Sequence, residues 1–393
     1  MLAQRPPMGW NTWNTFGPKI NEQLIRESTD AFVDIGLKDA GYEYIVIDDC
    51  WSEYNRDPVT DRIVPHHEKF PNGMKAVADY VHSKGLKFGM YSCDGVRTCA
   101  DYPGSFDHEF LDAQTFAEFG VDFLKYDNCY KPTTSDGPNL YHRMGMALRA
   151  TGRDILFSAC NWGTDDVWSW IRSSGAHMYR STGDIVDTPE SYRNIAKSQM
   201  DKLCYSAPGC FNDIDMLTVG MYGSGNVGSD VFNPDKKSNA NTEADYRSQF
   251  ALWCMYSAPL MLGSDIRKMD EKTLKLVTNR ELIRINQDAE ARPPVIAKAG
   301  WFEDCKVMFK FLENGEYALA FFNMGEPNPR FPDRGSIGLS AMFTDFGLTA
   351  SSGYGLQLTD VFTGEDVGCY KEYFRTNVAF HDCAVYRAKL VKA

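Results

Sequence analysis

Aspartates stand at the ends of several short apolar runs in this sequence. Asp48 and Asp49 end one run, Asp127 ends another, and Asp184 and Asp215 follow two later ones. Grouped carboxyl groups can divide the roles of nucleophile, base and general acid, as they do in enzymes that break glycosidic bonds. Any single one of them could instead cap the helix that follows it. A set of this size exceeds what the stability of a fold requires, so we interpret it as a candidate catalytic site.

A lysine accompanies one of these carboxylates. Lys125 lies two residues before Asp127 in the run LKYD, and side chains alternate along a strand, so both should point to the same side. A neighbouring cation keeps a carboxylate ionised, which suits a nucleophile. Lys125 is also the candidate that a Schiff-base aldolase or isomerase would use. The adjacent carboxylate keeps this lysine charged, which disfavours that alternative.

Tryptophans occur beside the acidic residues. Trp10, Trp13, Trp51 and Trp162 lie at or just after the same runs, and we expect them on the same face of the fold. Aromatic rings stack on the apolar face of a sugar, while carboxylates supply the acid and the base. The combination predicts an enzyme that cleaves sugars. A carbohydrate-binding protein without activity is the non-enzyme alternative, and it would be expected to have lost one of the central aspartates.

The elements that must position these residues alternate along the first three quarters of the chain. Eight apolar runs predict strands, and the stretches between them have apolar residues at helical spacing. Eight strands alternating with helices indicate a closed parallel (β/α)8 barrel, whose strands end at one catalytic rim. The predicted strands are 7–10, 44–49, 87–92, 122–127, 155–160, 177–181, 210–213 and 259–264. The predicted helices include 22–40, 74–84, 108–119 and 140–150.

The pattern changes after about residue 288. Segments 307–311, 317–322 and 379–387 alternate and are separated by Gly, Pro, Asn and Asp, which predicts an antiparallel β-sandwich. Arg292-Pro293-Pro294 makes a stiff joint, so we predict a barrel over 1–291 and a sandwich domain over 292–393. The polar stretch 222–242 is longer than a strand-to-helix link needs, and we expect it to overhang the catalytic face.

Composition excludes several classes of function. The formal net charge of -12 opposes binding to nucleic acid or to anionic membranes. No apolar run is long enough to span a membrane, and no signal peptide is visible, which predicts a cytoplasmic protein, or a secreted one if a leader has been removed. The seven histidines include His66-His67 but no HExxH, there is no CxxC, and no glycine-rich nucleotide loop is present. We therefore expect no metal and no cofactor.

The motifs together resemble those of the family 27 glycoside hydrolases, the α-galactosidase and α-N-acetylgalactosaminidase group. The matching segments are PPMGWNTW at 6–13, IDDCW at 47–51, MYSCDGVRTC at 90–99, FLKYDNC at 123–129, SACNWG at 158–163, YRSTGD at 179–184, NDIDML at 212–217 and VAFHDCAVYR at 378–387. The resemblance implies a retaining glycosidase with Asp127 as nucleophile and Asp184 as general acid/base. The residues that it assigns to the sugar are Trp13, Asp48, Asp49, Tyr91, Lys125, Arg180 and Asp215. It places Cys99 and Cys129, which match a pair that is bridged in relatives, with these substrate-binding residues.

Departures from the family pattern refine the expected activity. Gly17-Pro18-Lys19 stands where many relatives have a cysteine, so Cys50 lacks its usual partner. At the position that senses the 2-substituent of the sugar, Asn161 and Trp162 join the predicted binding residues, and Asn161 favours a 2-hydroxyl. The expected substrates are therefore terminal α-D-galactosides of oligosaccharides or glycoconjugates. The sequence leaves open whether the protein forms a homo-oligomer. An α-N-acetylgalactosaminidase and a β-L-arabinopyranosidase are the alternatives on the same scaffold.

Overall fold

The computed structural model describes residues 2–224, 240–297, 303–327, 330 and 333–393. Its first part is the predicted barrel: eight parallel strands in the order β7-β6-β5-β4-β3-β2-β1-β8. The eight strands are β1 (Met8–Asn11), β2 (Tyr44–Val46), β3 (Lys87–Cys93), β4 (Phe123–Asp127), β5 (Leu156–Cys160), β6 (Met178–Arg180), β7 (Phe211–Asp213) and β8 (Leu260–Leu262). A parallel bridge between Leu217 and Leu262 connects the chain after β7 to β8, so the sheet closes on itself.

The helices surround this sheet. They are α1 (Trp13–Phe16), α2 (Glu22–Asp34), α3 (Gly73–Ser83), α4 (Glu109–Phe119), α5 (Gly137–Ala150), α6 (Pro189–Ser198), α7 (Glu243–Tyr256), α8 (Glu271–Val277) and α9 (Arg280–Asn286). Side chains cap the first turns of α2 and α5 to α9, as Thr242 and Asp245 do reciprocally in α7. The prediction of one helix over 22–40 was too long. Helix α2 ends at Asp34 because Gly36 and Gly41 adopt positive φ angles of 84° and 104°, which turn the chain.

Two apolar layers hold the barrel together. Side chains such as Ile45 and Leu124 face outward and pack under the helices. Their neighbours Tyr44, Val46 and Phe123 face inward and fill the barrel. Both faces of the parallel strands are therefore buried, which explains why the strands appear in the sequence as continuous apolar runs.

The second part of the chain is antiparallel. Six strands form a sheet in the order β14-β13-β16-β11-β10-β9, and β12 pairs with β15. These strands are β9 (Val295–Ala297), β10 (Cys305–Phe311), β11 (Glu316–Asn323), β12 (Ser336–Met342), β13 (Tyr354–Asp360), β14 (Asp366–Tyr370), β15 (Tyr373–Ala379) and β16 (Cys383–Lys392). The prediction of one strand over 379–387 was wrong, since β15 ends at Ala379 and a turn with His381 at φ 66° precedes β16. The predicted boundary after residue 291 falls between α9 and β9 and stays a prediction.

Polar contacts join the two parts. Arg247 of α7 donates to Asp382 with Nε 3.0 Å from Oδ1. Lys310 of β10 is fully buried against the barrel, where its ammonium donates to Ser257 Oγ at 2.6 Å and to the carbonyl of Ile285 at 3.0 Å. Burial lowers the pKa of Lys310 to about 8. The second domain thus inserts a lysine, rather than an apolar side chain, between helices α7 and α9.

Candidate active site

The carboxyl ends of the barrel strands surround a cavity of about 300 Å³. In a parallel barrel all strands deliver their last residues and following loops to this end, so residues distant in sequence meet there. The predicted site residues in the cavity wall are Trp13, Asp48, Asp49, Tyr91, Cys99, Lys125, Asp127, Trp162, Arg180, Asp184 and Asp215. The polar stretch 222–242 was predicted to overhang this face, and its residues 225–239 lie outside the described residues.

Asp127 is the last residue of β4 and its carboxylate is held on both oxygens. The Tyr91 hydroxyl donates to Oδ2 at 2.7 Å, and the backbone amide of Asn128 donates to Oδ1 at 3.0 Å. Only 7% of Asp127 is exposed. Tyr91 lies in β3, where strand pairing places it opposite Lys125. The residue opposite Asp127 is Cys93, two positions further along β3. Burial raises the pKa of Tyr91 well above its usual value, so the phenol remains a donor to the carboxylate.

Lys125 lies in the same wall but its direct partner differs from the expected one. Its ammonium donates to Asp48 Oδ2 at 2.8 Å, and the amide of Asn11 donates to the same oxygen at 2.7 Å. The ammonium also lies 5.4 Å from the centre of the Tyr91 ring. Burial opposes a charge on Lys125, but the carboxylates of Asp48 and Asp127 raise its pKa above its usual value. The lysine therefore remains a cation shared by the two carboxylates.

Asp49 joins the loop after β2 to the loop after β3 at the rim. Its carboxylate accepts the backbone amides of Cys50 at 2.7 Å and of Ala100 at 3.1 Å. Burial raises the pKa of Asp49 to about 6. The residue before Ala100, Cys99, forms a disulfide with Cys129, which matches the pair that is bridged in relatives, and so ties the loop after β3 to the loop after β4. Cys50 has no disulfide partner, in agreement with the missing cysteine in its expected partner segment.

Asp184 and Asp215 share one arginine. Arg180, the last residue of β6, donates to Asp184, and its Nη2 lies 3.1 Å from Asp215 Oδ2. Asp215 also accepts the backbone amides of Ile185 and Met216, each at 2.7 Å. The Asp184 side chain is 78% exposed at the mouth of the cavity. The surrounding protein disfavours its charge, but the Arg180 guanidinium outweighs this and lowers the pKa of Asp184 below its usual value.

This pKa differs from the requirement for a general acid. Acid catalysis needs a protonated Asp184, and therefore a pKa above its usual value. The ion pair with Arg180 produces the opposite shift in the protein without substrate. The carboxyl group is nevertheless placed where a bound sugar would cover it and remove its water.

Some predicted residues lie elsewhere. Trp10 and Trp51 are buried in the core, where their indole N–H groups donate to the carbonyls of Ser264 and Tyr91 at 2.8 and 2.9 Å. Both support the barrel, and neither is part of the cavity wall. For Trp10 the reason is strand alternation, which turns its side chain outward. Asn161 is fully buried behind the wall, where its Oδ1 accepts the Thr164 hydroxyl at 2.9 Å.

Other residues of the wall were missed by sequence reasoning. The wall also contains Asn14, Ile185, Val186 and Met216. Each lies one or two residues after a predicted residue, so proximity to Trp13, Asp184 and Asp215 in the sequence is the signal that could have found them.

Asp94 is an unexpected acidic neighbour of the site. It is fully buried, its backbone amide donates to the carbonyl of Asp127 at 2.9 Å, and neither carboxyl oxygen has a hydrogen-bond partner among the described residues. Burial raises the pKa of Asp94 to about 8.

The described residues contain two groups of three side chains with metal-ligand atoms close together. One is Cys99, Asp127 and Cys129, whose two sulfurs are bonded to each other. The other, Glu53 with His66 and His67, lies outside the cavity. As for membranes, none of the helices described here combines the length and the apolar composition that a spanning segment requires.

The arrangement combines an oriented, ionisable carboxylate with a second carboxyl at the mouth. Around them stand two cations, three further carboxylates and aromatic rings. Hydroxyl groups of a sugar could bind to the fixed carboxylates and the ammonium, while Asp127, which is buried, and Asp184, which is exposed, differ in their surroundings.

Comparisons with known proteins agree with this geometry. A family model described as alpha galactosidase A matches residues 5–288, and one described as the alpha galactosidase C-terminal beta sandwich domain matches residues 302–388. The alpha-galactosidase of Cyamopsis tetragonoloba is 48% identical over 288 residues, which are 73% of this chain and 65%, less than two thirds, of that protein. Alpha-galactosidase 3 of Arabidopsis thaliana is 39% identical over 98% of this chain and 82% of its own length. The crystal structure of the Saccharomyces cerevisiae alpha-galactosidase with raffinose has a TM-score of 0.87 and 28% identity, and covers 99% of this chain and 98% of that one.

Proposed function

The chain belongs to the α-galactosidase family, and we propose that Asp127 and Asp184 are its nucleophile and its acid/base in the retaining hydrolysis of terminal α-D-galactosides. The family assignment confirms the resemblance found in the sequence, together with the prediction of an α-galactosidase. The roles of individual residues rest on the geometry of the cavity. The observation that carries them is the fixation of Asp127, whose two oxygens are held by Tyr91 and Asn128 inside a wall of sugar-binding groups.

The first displacement uses these contacts. Asp127 attacks the anomeric carbon and forms a galactosyl ester, while the bond to the leaving oxygen breaks and Asp184 delivers a proton to that oxygen. The Tyr91 hydroxyl and the Asn128 amide orient the nucleophile, and Lys125 places a positive charge in the same wall. Asp184 pairs with Arg180 in the free protein. We infer that a bound galactoside covers this exposed carboxyl, and that the loss of water raises its pKa enough to hold the proton.

The second displacement reverses the roles. Water attacks the ester carbon while Asp184, now a carboxylate, removes its proton, and Asp127 leaves. Arg180 favours the ionised form of Asp184 that this step requires. Two inversions give net retention of the anomeric configuration.

The size of the cavity supports cleavage at chain ends. About 300 Å³ is at the lower limit of ligand pockets, which suits one sugar ring and leaves the leaving group outside. Asp48, Asp49 and Asp215 line it and can accept hydrogen bonds from the ring hydroxyls. The yeast relative was crystallised with raffinose. We therefore propose α-galactoside oligosaccharides as substrates, while glycoconjugate substrates, a homo-oligomer and a cytoplasmic location stay predictions.

A paired rescue experiment tests the two roles. Asp127→Gly and Asp184→Gly should each lose nearly all activity on a nitrophenyl α-galactoside, and azide should restore part of it in both. With Asp127→Gly, azide attacks once from the vacated face and the product should be the β-galactosyl azide. With Asp184→Gly, azide resolves the ester on Asp127 and the product should be the α-galactosyl azide.

The configuration of the products decides the assignment, read by NMR of the anomeric proton. Exchanged products would reverse the two roles, and activity that survives either substitution would exclude that residue. Asp201→Asn is the matched control, because Asp201 is a well-exposed carboxylate that pairs with Lys202 and is not part of the wall. It should retain activity and give no azide product in place of hydrolysis.

A further inference from the structure

The chain that follows β2 folds into a two-stranded arm outside the cavity. The backbone amide of His66 donates to the carbonyl of Trp51 at 2.9 Å, and that of Glu53 donates to the carbonyl of Val64 at 2.9 Å. An antiparallel bridge between residues 52 and 65 lies between these bonds. These main-chain contacts therefore fix the backbone positions of Glu53 and of the two adjacent histidines, independently of their side chains.

The arm brings three side chains with metal-ligand atoms together. One oxygen of Glu53 and one ring nitrogen of each of His66 and His67 lie within 4.8 Å of one another. The Nδ1 atom of His67 is 2.6 Å from Glu53 Oε1, and the backbone amide of His67 donates to the same oxygen at 2.9 Å. The two imidazole rings lie nearly parallel, 5.4 Å apart. This carboxylate is thus oriented toward the histidines by two contacts.

The donor set has a definite chemical preference. Imidazole nitrogens with a carboxylate oxygen suit borderline divalent transition metals, and two histidines with one glutamate plus water make a four-coordinate zinc site. Ligand atoms around one zinc ion lie about 3.4 Å apart, given bonds of about 2.1 Å. Small rotations of exposed side chains are enough to close the present spacing, since 78% of the His67 side chain and 30% of that of Glu53 are exposed.

We propose that Glu53, His66 and His67 form a surface site for one divalent transition-metal ion, with Zn²⁺ as the best match. The site plays no part in the hydrolysis, because none of its residues lies in the cavity wall. Its effect is on the arm. The arm begins directly after Asp48 and Asp49, so a bound ion would tie its two halves together next to the sugar-binding carboxylates.

Titration calorimetry with zinc chloride tests the proposal. The protein should carry no histidine tag, keep its disulfide oxidised, and have its exposed thiols Cys204 and Cys369 alkylated first. We expect one Zn²⁺ bound per chain and a rise in the thermal unfolding midpoint. Glu53→Gln, His66→Asn and His67→Asn should each weaken binding at least about tenfold, which corresponds to about 1.4 kcal/mol.

A matched histidine separates this site from general histidine binding. His82 pairs with a single carboxylate, its Nε2 being 2.7 Å from Asp122 Oδ2, and His82→Asn should leave zinc binding unchanged. All variants should hydrolyse the nitrophenyl galactoside like the wild type, which shows that they are folded. Binding that is equally tight in the three arm variants, equally weakened in the control, or absent from the wild-type protein would overturn the proposal.

Discussion

Replacing Asp94 with asparagine should stabilise the protein at neutral pH, by an amount that grows as the pH rises. Asp94 is fully buried, and neither carboxyl oxygen has a hydrogen-bond partner among the residues described. The nearby cation, Lys131, already lies 3.3 Å from Asp165. An ionised Asp94 would therefore be an unpaired buried charge, which is among the most costly features a fold can contain.

The magnitude follows from the pKa. Burial raises the pKa of Asp94 from 3.8 to about 8, so between these values the folded protein keeps a proton that the unfolded chain has released. The unfolded state then binds fewer protons, and stability falls by about 1.4 kcal/mol for each pH unit. At pH 7 the accumulated cost is about 4 kcal/mol, and above about pH 8 it is constant. Asparagine has the shape of the neutral acid and does not titrate, so this cost disappears.

Thermal unfolding of wild type and Asp94→Asn across about pH 4 to 8 is the assay. The two midpoints should nearly coincide at the acid end and separate progressively toward the alkaline end. Asp112→Asn is the matched control, because Asp112 is equally buried but pairs with Arg56 at 2.7 Å, and its loss should destabilise the fold. A difference between wild type and Asp94→Asn that stays constant with pH, or a less stable variant at neutral pH, would refute the reasoning.

Three further predictions concern the site and the domain interface. Lys125→Met should lower kcat/KM by at least about 100-fold, or about 2.7 kcal/mol, because it removes a proposed sugar ligand and leaves Asp48 without its cation; steady-state kinetics with less than a tenfold loss would contradict this. The protein should prefer α-galactosides to α-N-acetylgalactosaminides by at least about tenfold, about 1.4 kcal/mol, because an acetamido group adds bulk in a cavity of about 300 Å³ that suits one sugar ring; equal rates on the two nitrophenyl substrates would show the contrary. The wild-type protein should become more stable between about pH 8 and 10.5, because the folded state loses the Lys310 proton before the unfolded chain does. Lys310→Met should abolish this rise, and thermal midpoints with the same pH slope in variant and wild type would disprove it.

Much of the fold could be predicted from the sequence because parallel strands buried on both faces give continuous apolar runs. Each predicted barrel strand overlaps an observed one, and the predicted run 122–127 became β4 (Phe123–Asp127). The errors occurred where local backbone geometry overrides periodicity. The helix predicted over 22–40 ends early at positive-φ glycines, and the strand predicted over 379–387 contains a turn at His381. In both, the apolar pattern continues across a break that only the backbone angles reveal.

For the site, the sequence determined which residues reach the rim, because a residue at the end of a parallel strand must lie there. It thereby placed Lys125 and Asp127 in one wall and indicated the family through its motifs. Only the tertiary structure decided the pairing of charges, which depends on distances between strands far apart in sequence. In the folded protein Lys125 pairs with Asp48. Arg180 pairs with Asp184 and lowers the pKa of that carboxyl group. The tertiary structure also buried the Asp94 carboxyl group without a hydrogen-bond partner among the described residues and brought Glu53 to two histidines, since through-space contacts leave no trace in residue spacing.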